Sequence, residues 1–392
     1  MNDTMTDPPQ IRLGIIGTGL AVERLHWPAL KRLPDRFRVV AFADINRASA
    51  ERFASYSGCS LDDYHADYRD VLRRDDVEAV LIALPIPLNE PIARASLEAG
   101  KHVFCEKPPG ADLEQANAFL QLSGQFPDRT VLMGENWFYR DDLRLARSLL
   151  DAGVIGRVHL MTWRMVSQLV PRPGAFSSTP WRQQPAYRGG PHLDGGVHMI
   201  AQIRLLCGDV RRLHGVIQDA NPTMGGPSDL ALNLVFASGA IGDYVAAHPA
   251  IPLPAETNHM RLYGDEGVVT IGGRSRTVSV FRPDGSTEEY QVESPDLGYY
   301  NEFLNFSDAI AHGEPVVGTV AQSYHNMLVV MRALDSAEEG QVAEVAAPGG
   351  VSATGVPLWR PRGASGLFDG LQVTVRQEAT ARGEAAGERK RD

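Results

Sequence analysis

The first third of the chain alternates short apolar runs with amphipathic stretches. Ile11–Ile16 (IRLGII) is apolar almost throughout. It leads into the glycine-rich segment Gly17-Thr18-Gly19 and then a helical pattern over residues 21–33. Phe37–Ala43 predicts the next strand, and residues 47–56 and 67–73 predict helices. Residues 79–84 read as a strand ended by Pro85, and 89–99 as a helix stopped by Gly100. A strand is predicted over 103–105, a helix opening at Asp112, and a strand over 130–133. Strands that are apolar throughout, separated by helices, imply right-handed βαβ units. Their parallel sheet would be covered on both faces.

The pattern changes after about Gly134. A helix is predicted over 141–152, followed by longer strands around 158–168, 230–236, 241–247 and 260–263. Ser238-Gly239 and Asp284-Gly285 mark antiparallel hairpins. Helices are predicted over 196–206, 300–312 and 320–339. This reads as a second, α+β domain on a mostly antiparallel sheet. From about Ala346 the chain turns to Gly, Pro, Ala and charge, which predicts an irregular extension and a disordered tail. The expected division is a Rossmann domain over 1–135, an α+β domain over 136–345 and the extension over 346–392.

The 392 residues are 43% hydrophobic and 22% charged, ordinary for globular chains. The net charge of −10 argues against a nucleic-acid or anionic-membrane binder. Cys59, Cys105 and Cys207 are few and scattered, which excludes a disulfide scaffold and structural zinc spacings and fits a reducing compartment. No secretory signal and no long apolar run is visible. The expectation is a cytoplasmic protein with no metal. Lysine is confined to Lys31, Lys101, Lys107 and Lys390, so each invites a question.

Gly17 and Gly19 sit where a strand turns into a helix. A pyrophosphate there needs a tight turn, close backbone approach and a helix N-terminus facing the anion. Val22 stands at the third glycine position. Asp44 ends the second strand, where a carboxylate binds the ribose diol and repels a 2′-phosphate. NAD is therefore expected, with Arg47 keeping NADP open. Asp44 could instead cap the helix that follows.

Two further segments carry chemistry. Lys107 follows a parallel strand in Phe104-Cys105-Glu106-Lys107-Pro108, where it could orient a substrate oxygen. Pairing with Glu106 at the surface is the plainer reading. Asp194 and His198 are four apart, a spacing that puts both on one helix face. A carboxylate beside an imidazole suits a general base. A helix cap and a packed histidine are the alternative.

Together these segments resemble the glucose–fructose oxidoreductase / inositol dehydrogenase / rhizopine-catabolism (Gfo/Idh/MocA) family. The resemblance runs from about Ile11 to Gly340. It is carried in order by GIIGTGLA, Asp44, AGKHVFCEKP, DAGVIGRVH, GGPHLDGGVH and YNEFLNFSDAIAHGEP. It implies a Rossmann domain, then an α/β domain with an open sheet. It also implies hydride transfer between nicotinamide and a sugar, polyol or derivative, in a homodimer or homotetramer. By position, Lys107, Asp194 and His198 match the catalytic residues. His198 would take the hydroxyl proton, Lys107 would orient the oxygen, and Asp194 would hold His198.

The expected cofactor contacts are Gly17, Thr18, Gly19, Leu20, Ala21, Asp44, Arg47, Leu84, Pro85, Asn89, Glu106 and Lys107. The expected substrate contacts are Asn136, Tyr139, Trp181, Arg182, Tyr187, His192, Asp194 and His198. Aromatic faces suit sugar C–H surfaces, and Arg or His can bond hydroxyls. Three departures stand out. Asn89 replaces a usual histidine, Ala201 replaces a frequent aspartate, and the arginine expected near Asn136 is displaced to Arg140.

Competing readings fit less well. No Tyr-x-x-x-Lys and no G-x-S-x-G is present, against a short-chain dehydrogenase and an α/β-hydrolase. A glycosidase using transient oxidation by NAD shares the scaffold. A non-catalytic NAD-binding regulator would not need Lys107, Asp194 and His198 together.

Overall fold

Six parallel strands form the first sheet of the computed structural model, which describes residues 10–253, 258–272, 276–294, 296–346, 355–364, 366 and 370–378. They are β1 (Ile11–Ile16), β2 (Phe37–Ala43), β3 (Tyr64–His65), β4 (Ala79–Ile82), β5 (His102–Glu106) and β6 (Val131–Gly134). Their order is β3-β2-β1-β4-β5-β6. The switch in order between β1 and β4 opens a crevice beyond the carboxyl ends of the strands. β4 is buried at every position, as a strand covered on both faces must be.

The helix expected over 21–33 is shorter and irregular. Val22–His26 is a π-turn, followed by a short α-helix, Trp27–Leu30. Pro28 lies in that first α-turn. It has no N–H to give, which favours a local break in the ladder. Val22, at the third glycine position, is fully buried.

The second sheet has ten strands. β7 (Val158–Val166), β8 (Val210–Gln218), β9 (Asp229–Phe236) and β10 (Ile241–Ala247) come first. β11 (Met260–Gly264), β12 (Gly267–Ile271), β13 (Thr277–Phe281) and β14 (Thr287–Glu293) follow. β15 (Ala343–Glu344) and β16 (Gln372–Glu378) form the edges. Among the described residues, only β7 and β10 of this sheet pair in parallel. β9 and β10 alternate buried with more exposed positions, the mark of a sheet covered on one face. Val320–Glu339 packs on β8, and Asp141–Asp151 on β12, β13 and β14.

The segment from 346 is not wholly irregular. Val356 and Trp359 are buried, and β16 pairs with β14 along its whole length. Composition hid this, because an edge strand gains its hydrogen bonds from the partner and needs little apolar sequence. Residues 379–392 lie outside the described residues. Among the described residues, no helix is long and apolar enough to cross a membrane.

Candidate active site

A cavity of about 790 Å³ lies between the carboxyl ends of the first sheet and the segment 176–198. Gly17, Gly19, Leu20, Ala21, Asp44, Leu84, Pro85, Glu106 and Lys107 line it from one side. Trp181, Arg182, Asp194 and His198 line it from the other. Sequence reasoning passed over Ile45, Arg69, Phe176, Thr179 and Tyr299, which also line it.

The turn after β1 is built for close approach. Gly17 has φ +90°, and a Cβ there would sit 2.5 Å from the Ala83 carbonyl oxygen. A Cβ on Gly19 would meet nothing within 4 Å. The turn is tied to the second strand by Asp44, whose Oδ2 accepts from Thr18 N at 2.8 Å and Thr18 Oγ1 at 3.0 Å. Its Oδ1 accepts from Asn46 N at 2.8 Å. Asp44 is not the helix cap, since Asn46 caps Arg47–Ser57 through Ala48 N. Thr18 is 2% exposed and braces the turn rather than facing the cavity. This open turn, with an acidic strand end beside it, fits a dinucleotide.

Lys107 and His198 line the cavity from its two sides. Lys107 Nζ donates to the Asp194 backbone carbonyl at 2.5 Å and lies 3.5 Å from Asp194 Oδ1. Arg182 Nε donates to Asp194 Oδ2 at 2.6 Å. Its guanidinium lies 4.0 Å from the centre of the Trp181 ring. Burial alone would raise the Asp194 carboxyl. The positive charges of Lys107 and Arg182, with the Arg182 hydrogen bond, bring it below the usual carboxylate range.

Asp194 does not hold His198. The expected shared helix breaks between them: Pro191–Asp194 is one short turn, and the next helix, Gly196–Cys207, begins after Gly195. His198 Nδ1 instead lies 2.6 Å from Glu135 Oε1. Glu135 follows β6 and is fully buried. The sequence signal for it is an acidic residue at the carboxyl end of a parallel strand. The Trp137 ring lies nearly parallel to the imidazole, 5.8 Å away.

Glu106 faces inward as well, with Oε1 2.7 Å from His26 Nε2. Burial pushes its carboxyl up. The His26 hydrogen bond and the charges of His26, Lys107 and His198 outweigh that and lower it. Nearby, Glu302 is buried without a hydrogen-bond partner among the described residues. Burial, with Glu106 and Glu135 nearby, raises its carboxyl strongly.

Besides Thr18, six further expected contacts lie away from the cavity. Arg47 is exposed and bonds Glu51, the usual fate of an arginine on a solvent-facing first turn. Asn89 is buried, and its amide donates to the Glu106 and Pro108 carbonyls, so it braces the lysine loop from behind. Asn136 is buried and donates to the Leu297 carbonyl. The Tyr139 hydroxyl is buried, donating to Asn305 and accepting from Gly318 N. Tyr187 packs near Trp181, with ring centres 6.3 Å apart. His192 is 1% exposed, because the turn Pro191–Asp194 directs it inward toward His248, 5.6 Å away. Burial, and then His248, push the His192 imidazole down to about 3.

The comparisons with known proteins agree with this geometry. Residues 11–127 match the model of the oxidoreductase family with an NAD-binding Rossmann fold, and residues 143–270 match its Gfo/Idh/MocA C-terminal domain. The chain belongs to the Gfo/Idh/MocA oxidoreductases. It is 29% identical over 288 residues to a dTDP-3,4-didehydro-2,6-dideoxy-alpha-D-glucose 3-reductase from Streptomyces violaceoruber. That match covers 71% of this chain and 79% of the relative. A solved oxidoreductase from Thermotoga maritima is 29% identical with a TM-score of 0.78, covering 86% of this chain and 98% of that one. A levoglucosan dehydrogenase solved in complex with NADH shares the fold. It is 22% identical with a TM-score of 0.73, over 86% of this chain and 99% of that one. The family binds NAD, and the Gly17 turn and Asp44 fit it.

Proposed function

We propose that this protein moves hydride between NAD and a secondary hydroxyl or carbonyl of a sugar, polyol or sugar derivative. One observation carries the reading. Lys107, from the dinucleotide domain, and His198, from the second domain, converge on the cavity that contains the Gly17 turn. Gly17, Leu20, Ala21, Asp44, Leu84 and Pro85 would hold NAD, which supplies the hydride acceptor or donor.

The chain's own groups divide the remaining work. His198 takes the hydroxyl proton on Nε2, the ring nitrogen not engaged by Glu135. Lys107 Nζ donates to the same oxygen and offsets its developing charge. Asp194 keeps Lys107 aimed and shares its charge with Arg182. Trp181 and Phe176 offer aromatic faces to C–H surfaces of a ring. The sugar-type activities named for the relatives support this substrate class.

The reading extends to the assembly and its setting. A second copy packing on the outer face of the second sheet, where Val216 and Ile241 are exposed, is part of the reading. Three free cysteines support a reducing cytoplasm.

The test is NAD and NADP reduction across inositols, aldoses, anhydrosugars and glycosides, followed by nicotinamide absorbance. Substrate-dependent reduction, lost in His198→Ala, is expected. Glycoside cleavage without net reduction would favour transient oxidation instead. NAD binding with no turnover of any kind would favour a regulator.

A further inference from the structure

Glu135 is a carboxylate with one strong partner. Its Oε1 lies 2.6 Å from His198 Nδ1 and accepts from Trp137 N at 3.3 Å. Its Oε2 is buried without a hydrogen-bond partner among the described residues. The nearer candidate in sequence, Asp194, is committed elsewhere: Oδ2 to Arg182 and Oδ1 toward Lys107. A carboxylate only accepts hydrogen bonds, so the imidazole nitrogen facing it must donate. That fixes which nitrogen carries the proton in the neutral ring.

We infer that Glu135, and not Asp194, is the positioning residue for His198: it holds a proton on Nδ1 and leaves Nε2 bare toward the cavity. The inference rests on the reading of His198 as the base. It adds that the base depends on a residue from the dinucleotide domain, outside the Asp194–His198 segment. When His198 takes a proton, the buried Glu135 carboxylate lies directly against the imidazolium. The Trp137 ring lies nearly parallel to the imidazole, with centres 5.8 Å apart.

The other charged groups around His198 do not substitute for Glu135. Glu106 faces His26, and Lys107 and Arg182 face Asp194. Glu302 stands behind Glu106 and Glu135, with its carboxyl raised toward the neutral form.

The experiment needs no substrate. The full chain is labelled with 15N-histidine, loaded with NAD, and observed at mildly alkaline pH, where ordinary imidazoles are neutral. The chain has 11 histidines, and His198→Gln identifies the signal of interest. The expected result is an imine-type Nε2 and a protonated Nδ1 at His198. In Glu135→Leu the proton should move to Nε2, while in Asp194→Asn it should stay on Nδ1. A protonated Nε2 in the unchanged chain overturns the inference, whether or not the leucine variant folds. So does an unchanged pattern in a folded, NAD-binding Glu135→Leu, or a switch caused by Asp194→Asn. Because no turnover is read, failure of the substrate panel leaves this result standing on its own.

Discussion

The two walls of the cavity are held by different means. The wall from the dinucleotide domain is backbone: a turn at Gly17, strand ends, and an Asp44 side chain spent on Thr18 and Asn46. The wall from the second domain is side chains, joined by ion pairs that cross between domains. Backbone walls fail when a Cβ intrudes. Charged walls fail when a partner is removed or protonated. The largest effects should therefore come where the two walls touch.

Lys107 is that point. Replacing it with Met removes the donor proposed to face the reacting oxygen. Asp194 keeps Arg182 at 2.6 Å, so no buried charge is stranded. Turnover should fall by about 10²–10³-fold, the scale of losing one preorganised donor, with melting nearly unchanged. Rates and melting curves on the same preparation check this. A large loss of stability with little loss of rate would make Lys107 a strut between domains.

Gly17→Ala tests the backbone wall. The new Cβ would meet the Ala83 carbonyl at 2.5 Å in a φ that side chains avoid. Strain of this kind costs about 1–3 kcal/mol. Calorimetric titration should show NAD affinity reduced by about tenfold or more. Unchanged affinity would mean the turn adapts, and the contrast between the walls would lose its first half.

The charged wall also has a pH limit. His192 and His248 are buried side by side in the same half of the molecule, both lowered by burial, with Asp229 bonded to the His248 backbone. Their folded forms resist protonation while the unfolded chain takes it up near the ordinary histidine value. Stability is then complete above about pH 6.5 and declines as pH falls toward 3. From the His192 shift alone, the loss should reach about 2 kcal/mol by pH 5. Denaturant melts across this range check the slope, and His192→Leu should flatten it. An equal slope in that variant would move the cause to other groups.

The same contrast explains what the sequence revealed. β1, β2, β4 and the Gly17 turn were legible because buried parallel strands and glycine turns impose local rules. The motif segments of Lys107 and His198 were legible too, and both residues line the cavity. Glu135 was not read, because its partner lies 63 positions away and no local pattern encodes that pairing. Arg182 was assigned to substrate, yet its nearest partner is Asp194. His192 and Tyr139 looked like pocket residues by type, but packing turned them inward. Hydrogen-bonding residues near a site announce chemistry, while their direction is decided by tertiary contacts. β16 escaped for a related reason, since its pairing strand lies far upstream.

Arg47 should give the smallest effect and is the finest test of the backbone wall. From sequence it kept NADP open, standing three residues after Asp44. In the fold it bonds Glu51 with both side chains well exposed, a pair worth about 0.3–0.5 kcal/mol at most. The lining beyond Asp44 includes Ile45, Asp67, Tyr68 and Arg69, and Arg69 is paired with Asp67. Arg47→Ala should therefore change NAD affinity by less than about twofold, consistent with a surface substitution. The ratio of NAD to NADP affinity should stay where it was, because Asp44 disfavours the 2′-phosphate with or without Arg47. Titrating both cofactors into both proteins decides it. If the variant loses NADP selectively, Arg47 leaves Glu51 to reach the ribose. The first wall would then depend on a mobile charge, as the second does.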